Sequence, residues 1–338
     1  MITRPRIRRP SAGLVWLAWR QHRAAHWTAL ALAALAGALA LWLHHHMVTA
    51  VGEWAAACPQ GLDYSDSATV CGRTPDAVKT VMETAHTPLR YLPVAVGALL
   101  GAPLFAQSLQ DGTHRLAWTQ SVGRGQWVTA KLCVTGAVTA LAALLITAPV
   151  TWWWYSIRHG RSASGPLGTA WQDSTSQSDW SYLPYTGPAG MAHLLLALAV
   201  GAAVGLLLRR VLPAVAVSAG VVLALQTGLE SLRPHLLTSA LARTSTRAFP
   251  ERPANSWYLS DGYTHVDGTL TANSPCPMGV WEKLLRCEAA QHINGRYSRY
   301  FVPHQFATLQ WLESAICLTA SALLIAFCLV HVRRMRTR

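Results

Sequence analysis

Residues 188–229 read PAGMAHLLLALAVGAAVGLLLRRVLPAVAVSAGVVLALQTGL, and Arg209 and Arg210 are the only charged side chains among them. A helix of about 20 predominantly apolar residues is needed to cross the hydrocarbon core of a bilayer, which is ~30 Å thick. The apolar runs on the two sides of the arginine pair are both long enough. This stretch therefore predicts two membrane-spanning helices joined by a short polar turn.

The same pattern continues through the rest of the chain. Of its 338 residues, 51% are hydrophobic and 13% are charged, whereas about 25% are charged in an average soluble domain. This composition excludes a disordered chain and disfavours the alternative of a soluble protein with buried helices. Six apolar runs predict six spans, at Trp27–Leu43, Tyr91–Leu109, Val128–Ile157, Pro188–Leu208, Val211–Leu229 and Leu309–Val332.

We predict an all-α membrane protein with six transmembrane helices, an N-terminal interfacial helix and a larger extracellular insertion between helices five and six. The interfacial helix covers Leu14 to Arg23, where apolar and cationic residues separate onto different faces. The predicted parts are a cytoplasmic arm (1–26), helices one to five (27–229) with outer loops 44–90 and 158–187 and a cytoplasmic segment 106–126, an extracellular loop domain (230–308), and the sixth helix with a basic tail (309–338).

Charge distribution predicts the orientation, because cytoplasmic loops hold an excess of Lys and Arg. Four segments that share one side of the six-span model contain 14 basic residues and one acidic residue, Asp111. Those segments are Met1–His26, Ala106–Gln126, Arg209–Arg210 and His331–Arg338. We therefore predict a multi-pass protein of the cell membrane with both termini in the cytoplasm. The basic residues next to the membrane suit lipid head groups, so no nucleic-acid partner is implied.

The seven cysteines are distributed as this topology requires, because disulfides persist on the oxidising side of a membrane. Cys58 and Cys71 fall in the first outer loop, and Cys276 and Cys287 fall in the last. We predict the disulfides Cys58–Cys71 and Cys276–Cys287. Free thiols or a zinc site are the alternatives, although the spacings match no Cys-x-x-Cys metal knuckle.

Few polar side chains lie at membrane depth, and such residues are candidates for function. They are His193, Gln226, Glu230 and Glu313; capping of helix ends at the interface is the alternative for the two glutamates. The chain lacks a Gly-x-x-x-x-Gly-Lys-Ser/Thr phosphate loop, a His-Glu-x-x-His helix and a Gly-x-Ser-x-Gly elbow. No catalytic or metal site is therefore predicted, and a membrane enzyme is disfavoured.

The most specific motif lies between the second and third spans. Residues 101–106 read GAPLFA and residues 111–122 read DGTHRLAWTQSV, followed by Arg124, Trp127 and Lys131. This segment resembles the permease subunits of ABC-2 type transporters, most closely a group of small ABC permeases of high-G+C Gram-positive bacteria. The stretch Tyr300–Arg338 is similar to the same group. Family members usually carry a glutamate shortly before the Gly-Thr pair, where this chain has Ser108 and Gln110.

The resemblance implies a non-catalytic permease that pairs with a second permease chain. Each chain would dock a separate cytoplasmic ATPase subunit, which binds ATP and Mg²⁺ and drives export, so no cofactor is expected on this chain. The residues expected to couple to the ATPase are Asp111, Gly112, Thr113, Arg115, Trp118, Arg124 and Lys131. An ordinary amphipathic connector is the alternative for this segment. The alternative function is a membrane sensor or immunity accessory protein that binds an extracellular ligand through residues 230–308.

Overall fold

The computed structural model describes residues 12–61, 63, 69–73, 76–113, 123–161, 179–245, 248–253, 255–272, 276 and 281–334. Six helical segments in these ranges are long and apolar enough to cross a membrane, which confirms the predicted number of spans. The segments are Gly13–Ala57, Thr80–Gln110, Arg124–His159, Gly187–Leu208, Val211–His235 and Gln305–Arg334.

The second span is divided into three parts, the fifth span ends in a short 3₁₀ turn, and the other spans are single α-helices. Pro88 and Pro93 lie inside its first helix, and a π-helical turn, Val96–Gly101, follows before the chain returns to α-helix. The helices are α1 (Ala12–Ala57), α2 (Asp76–Ala95), α3 (Ala102–Gln110), α4 (Arg124–Arg161), α5 (Gly187–Leu208), α6 (Val211–Leu232), α7 (Trp281–Ala290) and α8 (Gln305–Arg334). Short 3₁₀ turns occupy Val70–Gly72, Asp179–Tyr185 and Arg233–His235.

The first helix differs from the prediction at both ends. It runs without a break through the predicted interfacial helix and continues past the predicted span to Ala57. The predicted outer loop 44–90 is consequently helical over much of its length, because α2 begins at Asp76. No proline lies between Ser11 and Cys58, so every residue of α1 keeps the backbone N–H that a continuous helix needs.

Helix α5 lies at the centre of the bundle. It is apolar around its whole circumference, which is typical of a buried helix, and 72% of its most apolar stretch is buried. Its glycines allow close approach of the second span. A Cβ added at Gly201 would lie 2.0 Å from Gly97 O, and one at Gly205 would lie 2.1 Å from Ala102 O.

The expectation of an all-α protein is wrong, because residues 230–308 contain a four-stranded antiparallel sheet. Its strands are β1 (Ala240–Thr244), β2 (Trp257–His265), β3 (Leu270–Thr271) and β4 (Ile293–Phe301), in the spatial order β1-β4-β2-β3. Helix α7 (Trp281–Ala290) precedes β4, which begins at Ile293.

An aromatic cluster joins the sheet to the helices. Trp154 of α4 stacks on Phe306 of α8 with ring centroids 4.0 Å apart, and Trp180 stacks on Trp257 of β2 at 5.3 Å. Trp180 also lies edge-on to Phe306 at 5.0 Å, and Trp257 packs on Phe301 of β4 at 5.5 Å. We call the membrane face next to this cluster the sheet side, and the face where α1 begins and α8 ends the terminal side.

Candidate functional site

The predicted coupling segment begins where α3 ends on the terminal side. The Asp111 backbone N–H donates to Gln107 O at 2.9 Å, and Gly112 has φ +70°, a conformation that glycine adopts without strain. The Thr113 hydroxyl donates to Ser108 O at 3.4 Å, and α4 starts at Arg124. Asp111 and Thr113 are exposed. Arg115 and Trp118 lie outside the described residues.

Lys131 points into the bundle at the foot of α4, with 2% of the residue exposed. Its Nζ donates to Leu104 O at 2.9 Å and to Ser108 Oγ, and it lies 3.4 Å from His22 Nε2. A lysine ammonium has three donors, and these three acceptors belong to α3 and α1. Lys131 therefore ties together α1, α3 and α4 near both ends of the predicted coupling segment, and its side chain is not exposed at the surface.

Ser108 stands in the stretch where the resembled permeases usually carry a glutamate. Its hydroxyl accepts from Lys131 Nζ, so a neutral oxygen stabilises the buried cation here. A buried charge needs hydrogen-bond partners to offset its loss of hydration. The carbonyl of Leu104 and the Ser108 hydroxyl supply them without a carboxylate.

A second polar centre lies near the sheet side and joins two of the predicted membrane-depth residues. Arg233 donates from Nε to Glu313 Oε2 at 3.0 Å and from Nη2 to Glu313 Oε1 at 2.8 Å. His193 Nε2 lies 3.2 Å from Glu313 Oε1. Glu313 is fully buried, and Arg233 and His193 are 5% and 4% exposed. We call Glu313, Arg233 and His193 the buried ion cluster.

Hydrogen bonding indicates the charge of His193. Its Nδ1 lies 2.9 Å from Ala189 O, and its Nε2 faces the Glu313 carboxylate. A carbonyl and a carboxylate both accept hydrogen bonds, so each ring nitrogen must carry a proton to donate. The buried ion cluster then contains two cations and one carboxylate. Sharing Glu313 between them joins α5, α8 and the end of α6.

The other two predicted membrane-depth residues, Gln226 and Glu230, both contact Arg90. Gln226 Nε2 donates to Arg90 O at 3.1 Å, and Arg90 Nη2 donates to Glu230 Oε2 at 3.1 Å. The Arg90–Glu230 pair is about one-third exposed, so it is more hydrated than the buried ion cluster. Burial, with Glu230 nearby, raises the pKa of Tyr185 to about 12, so this phenol stays neutral at physiological pH.

Sequence reasoning missed the two arginines in these contacts. Arg90 and Arg233 fall in the predicted outer loops, although each lies at the end of an apolar run and faces a glutamate. The sequence signal for these contacts is that each arginine and its glutamate have opposite charges and lie at the same predicted depth in the membrane. Among the residues that the structure describes, no group of three His, Cys, Asp or Glu side chains is placed to hold a metal ion.

Both predicted disulfides are present, Cys58–Cys71 and Cys276–Cys287. The first connects the end of α1 to the 3₁₀ turn Val70–Gly72, and the second anchors α7 to the segment before it. Cys133, Cys317 and Cys328 are free thiols within the spans.

Six spans, one of them the central buried helix α5, with polar centres near both faces, define a multi-pass integral membrane protein. The model of the family described as ABC-2 membrane transporter related matches residues 29–233, and the chain belongs to this family. It is an ABC-2 type permease, a membrane component of a class that is generally not catalytic itself. No curated protein and no solved structure matches the chain.

Proposed function

We propose that this chain is the permease subunit of an ABC exporter, that it forms the translocation path, and that a separate cytoplasmic ATPase subunit drives it. The observation that carries the proposal is the anchoring of the coupling segment. The coupling segment follows the end of α3 and leads into the start of α4. Lys131 lies near both of these points and joins α3, α4 and α1. A displacement of the segment is thereby passed to three spans.

The energy source must be a partner, because the chain has no phosphate loop. ATP and Mg²⁺ bind that partner, and this chain holds no cofactor. We further propose that two permease chains pair in the membrane, as a homodimer or a heterodimer, and that both termini face the cytoplasm. The excess of Lys and Arg on the terminal side supports this orientation. The direction of transport rests on the family resemblance.

Affinity purification of the full chain from its native membranes tests the proposal. The chain should bring down an ATPase subunit whose ATP hydrolysis depends on the permease. The variant Asp111→Ala/Arg115→Ala/Arg124→Ala should insert normally and lose the subunit or its stimulation. A triple variant is needed because single exposed charge contacts contribute only about 0.2–1 kcal/mol each.

The matched control is Arg210→Ala, an exposed residue on the same side. It changes the net charge by one unit, as the triple variant does, and should leave ATPase binding intact. If the triple variant retains full ATPase binding and transport, the docking surface lies elsewhere, and the basic N-terminal arm becomes the next segment to test. A chain that binds an extracellular ligand but no ATPase would favour the sensor alternative.

A further inference from the structure

A cavity of about 370 Å³ lies between α1, the second span and α4, and its lining is almost entirely apolar. Ala29 and Ala33 of α1 form one wall, and Ile146 of α4 lies on another. The small α1 side chains leave space where larger residues would fill the helix contact. Its volume lies within the range of small-molecule sites, roughly 300–1,000 Å³.

The cavity opens sideways between α1 and the second span. At its rim, Leu32 is 66% exposed and Leu99 is 64% exposed. Both residues lie well inside their spans, Gly13–Ala57 and Thr80–Gln110. The mouth is therefore at the depth of the hydrocarbon core, and a molecule enters it from the lipid and not from water.

One polar group in this apolar lining has no partner. Thr139 is 1% exposed, lines the cavity, and its Oγ1 makes no hydrogen bond. Other threonines in the spans behave differently, because Thr129, Thr151 and Thr227 each donate to the carbonyl four residues earlier. A buried hydroxyl without a hydrogen bond is unfavourable. Because the Thr139 residue lines the cavity, rotation of its side chain about χ1 brings the hydroxyl to a partner inside the cavity.

We propose that this cavity is a binding site for a membrane-dissolved molecule with a slender hydrocarbon part and one uncharged oxygen, a hydroxyl or a carbonyl. The hydrocarbon fills the space beside Ala29 and Ala33, and the oxygen hydrogen-bonds to Thr139. A charged group is disfavoured because the lining offers no opposite charge. Identifying this molecule as the transported substrate rests on the proposed export function, whereas its binding does not.

Photolabelling of the full chain in lipid nanodiscs, without ATPase or ATP, tests the site. The probes are a long-chain fatty alcohol with a mid-chain diazirine and the matching diazirine alkane without the hydroxyl. The alcohol should label peptides from α1, the second span and α4 about fivefold more than the alkane does. This ratio is what one neutral hydrogen bond is expected to contribute. Thr139→Val should abolish this preference, and Thr227→Val should keep it.

A second pair of variants tests occupancy of the cavity. Ala29→Phe places a ring in the cavity and should reduce alcohol labelling to the level of the other spans. Ala38→Phe, an exposed position of α1 outside the lining, should leave labelling unchanged. The proposal is overturned if all spans are labelled equally and neither Ala29→Phe nor Thr139→Val changes that labelling, because the probe then reports only contact with bulk lipid. The proposal is also overturned if Leu32→Cys forms a disulfide between two chains and the cavity is not labelled. A second copy of the chain would then cover the mouth of the cavity.

Because these measurements need no ATPase, they are independent of the proposed export function. Labelling at the site in a chain that captures no ATPase would sustain the binding site and reject the export role. Capture of an ATPase by a chain whose cavity is not labelled would reject the binding site and leave the export role intact.

Discussion

Arg233 and Glu313 form a buried two-point ion pair, with donor–acceptor distances of 3.0 and 2.8 Å, although 80 residues separate them in the chain. The pair closes the base of the sheet region, because Arg233 directly follows α6 and Glu313 lies in α8. Gln305 reinforces this closure by donating from Nε2 to Thr238 O at 2.9 Å.

Glu313→Gln should strongly destabilise the protein, because it leaves Arg233 and His193 without their carboxylate. Removing one partner of a buried ion pair lowers the free energy of unfolding by about 3–5 kcal/mol. Glu230→Gln breaks the more exposed pair with Arg90 and should lower it by less than about 1 kcal/mol. Thermal unfolding of the two variants in the same detergent measures the difference; equal effects would contradict the assigned burial.

Gly201→Ala and Gly205→Ala should each disturb the contact between α5 and the second span. The added methyl group would meet backbone carbonyls at 2.0 and 2.1 Å, so a helix must move. Overpacking of this kind destabilises by about 1–3 kcal/mol. Gly220→Ala in α6, where no atom lies within 4 Å, is the control. It should be neutral or stabilise by up to about 1 kcal/mol, since alanine favours helix; a comparable loss there would argue against the contact.

Lys131→Met should reduce transport more than it reduces ATPase binding. The substitution removes the ammonium that joins α1, α3 and α4 but leaves the exposed coupling segment in place. Lys283→Met, at an exposed position of α7, is the control and should change neither quantity. Transport and ATPase binding measured on the same vesicles separate the two effects. A parallel loss of both would place Lys131 in the docking surface itself.

Reporter fusions after Arg338 and within residues 162–176 should report opposite sides of the membrane. Helix α1 begins and α8 ends on the terminal side, while α4 ends on the sheet side. An alkaline phosphatase fusion should be active at the internal position and inactive at the C-terminus. Activity at both positions would reject the six-span topology.

Replacing Cys58 and Cys71 together by alanine should lower the free energy of unfolding by about 2–3 kcal/mol, because the unfolded chain gains entropy when a short loop is no longer closed. Non-reducing peptide mapping checks the bond directly in membranes. Replacing the free Cys133, which is exposed on α4, provides the control and should have little effect.

The spans and the disulfides were predictable because each depends on a local property of the sequence. Apolar run length determines a span, and cysteines near each other on one side of the membrane form local bonds. The buried ion cluster was only partly predictable. His193 and Glu313 are candidates from the sequence separately, but their direct contact depends on the packing of α5 against α8, and the contact of Glu313 with Arg233 depends on the position of the end of α6. No local sequence pattern contains either contact.

The sheet was missed for a related reason. Its longest strands, WYLSDGYTH and INGRYSRYF, alternate aromatic and polar residues only irregularly, and glycine within each weakens the period-two signal. Pairing between β2 and β4 includes register shifts, so neither strand has the regular alternation of an exposed antiparallel sheet. Attention to tyrosine and tryptophan content, which favours strands, could have found them.

The aromatic cluster has a mechanical consequence for the sheet. Trp257 and Phe301 share it with Trp154 of α4 and Phe306 of α8, so the sheet is packed against two spans and does not swing freely on a tether. Because Phe306 lies in α8, we expect a rotation of this helix to move the sheet with it, and an antibody or ligand that holds the sheet to resist that rotation. Binding to the sheet is therefore expected to restrain the spans from the sheet side.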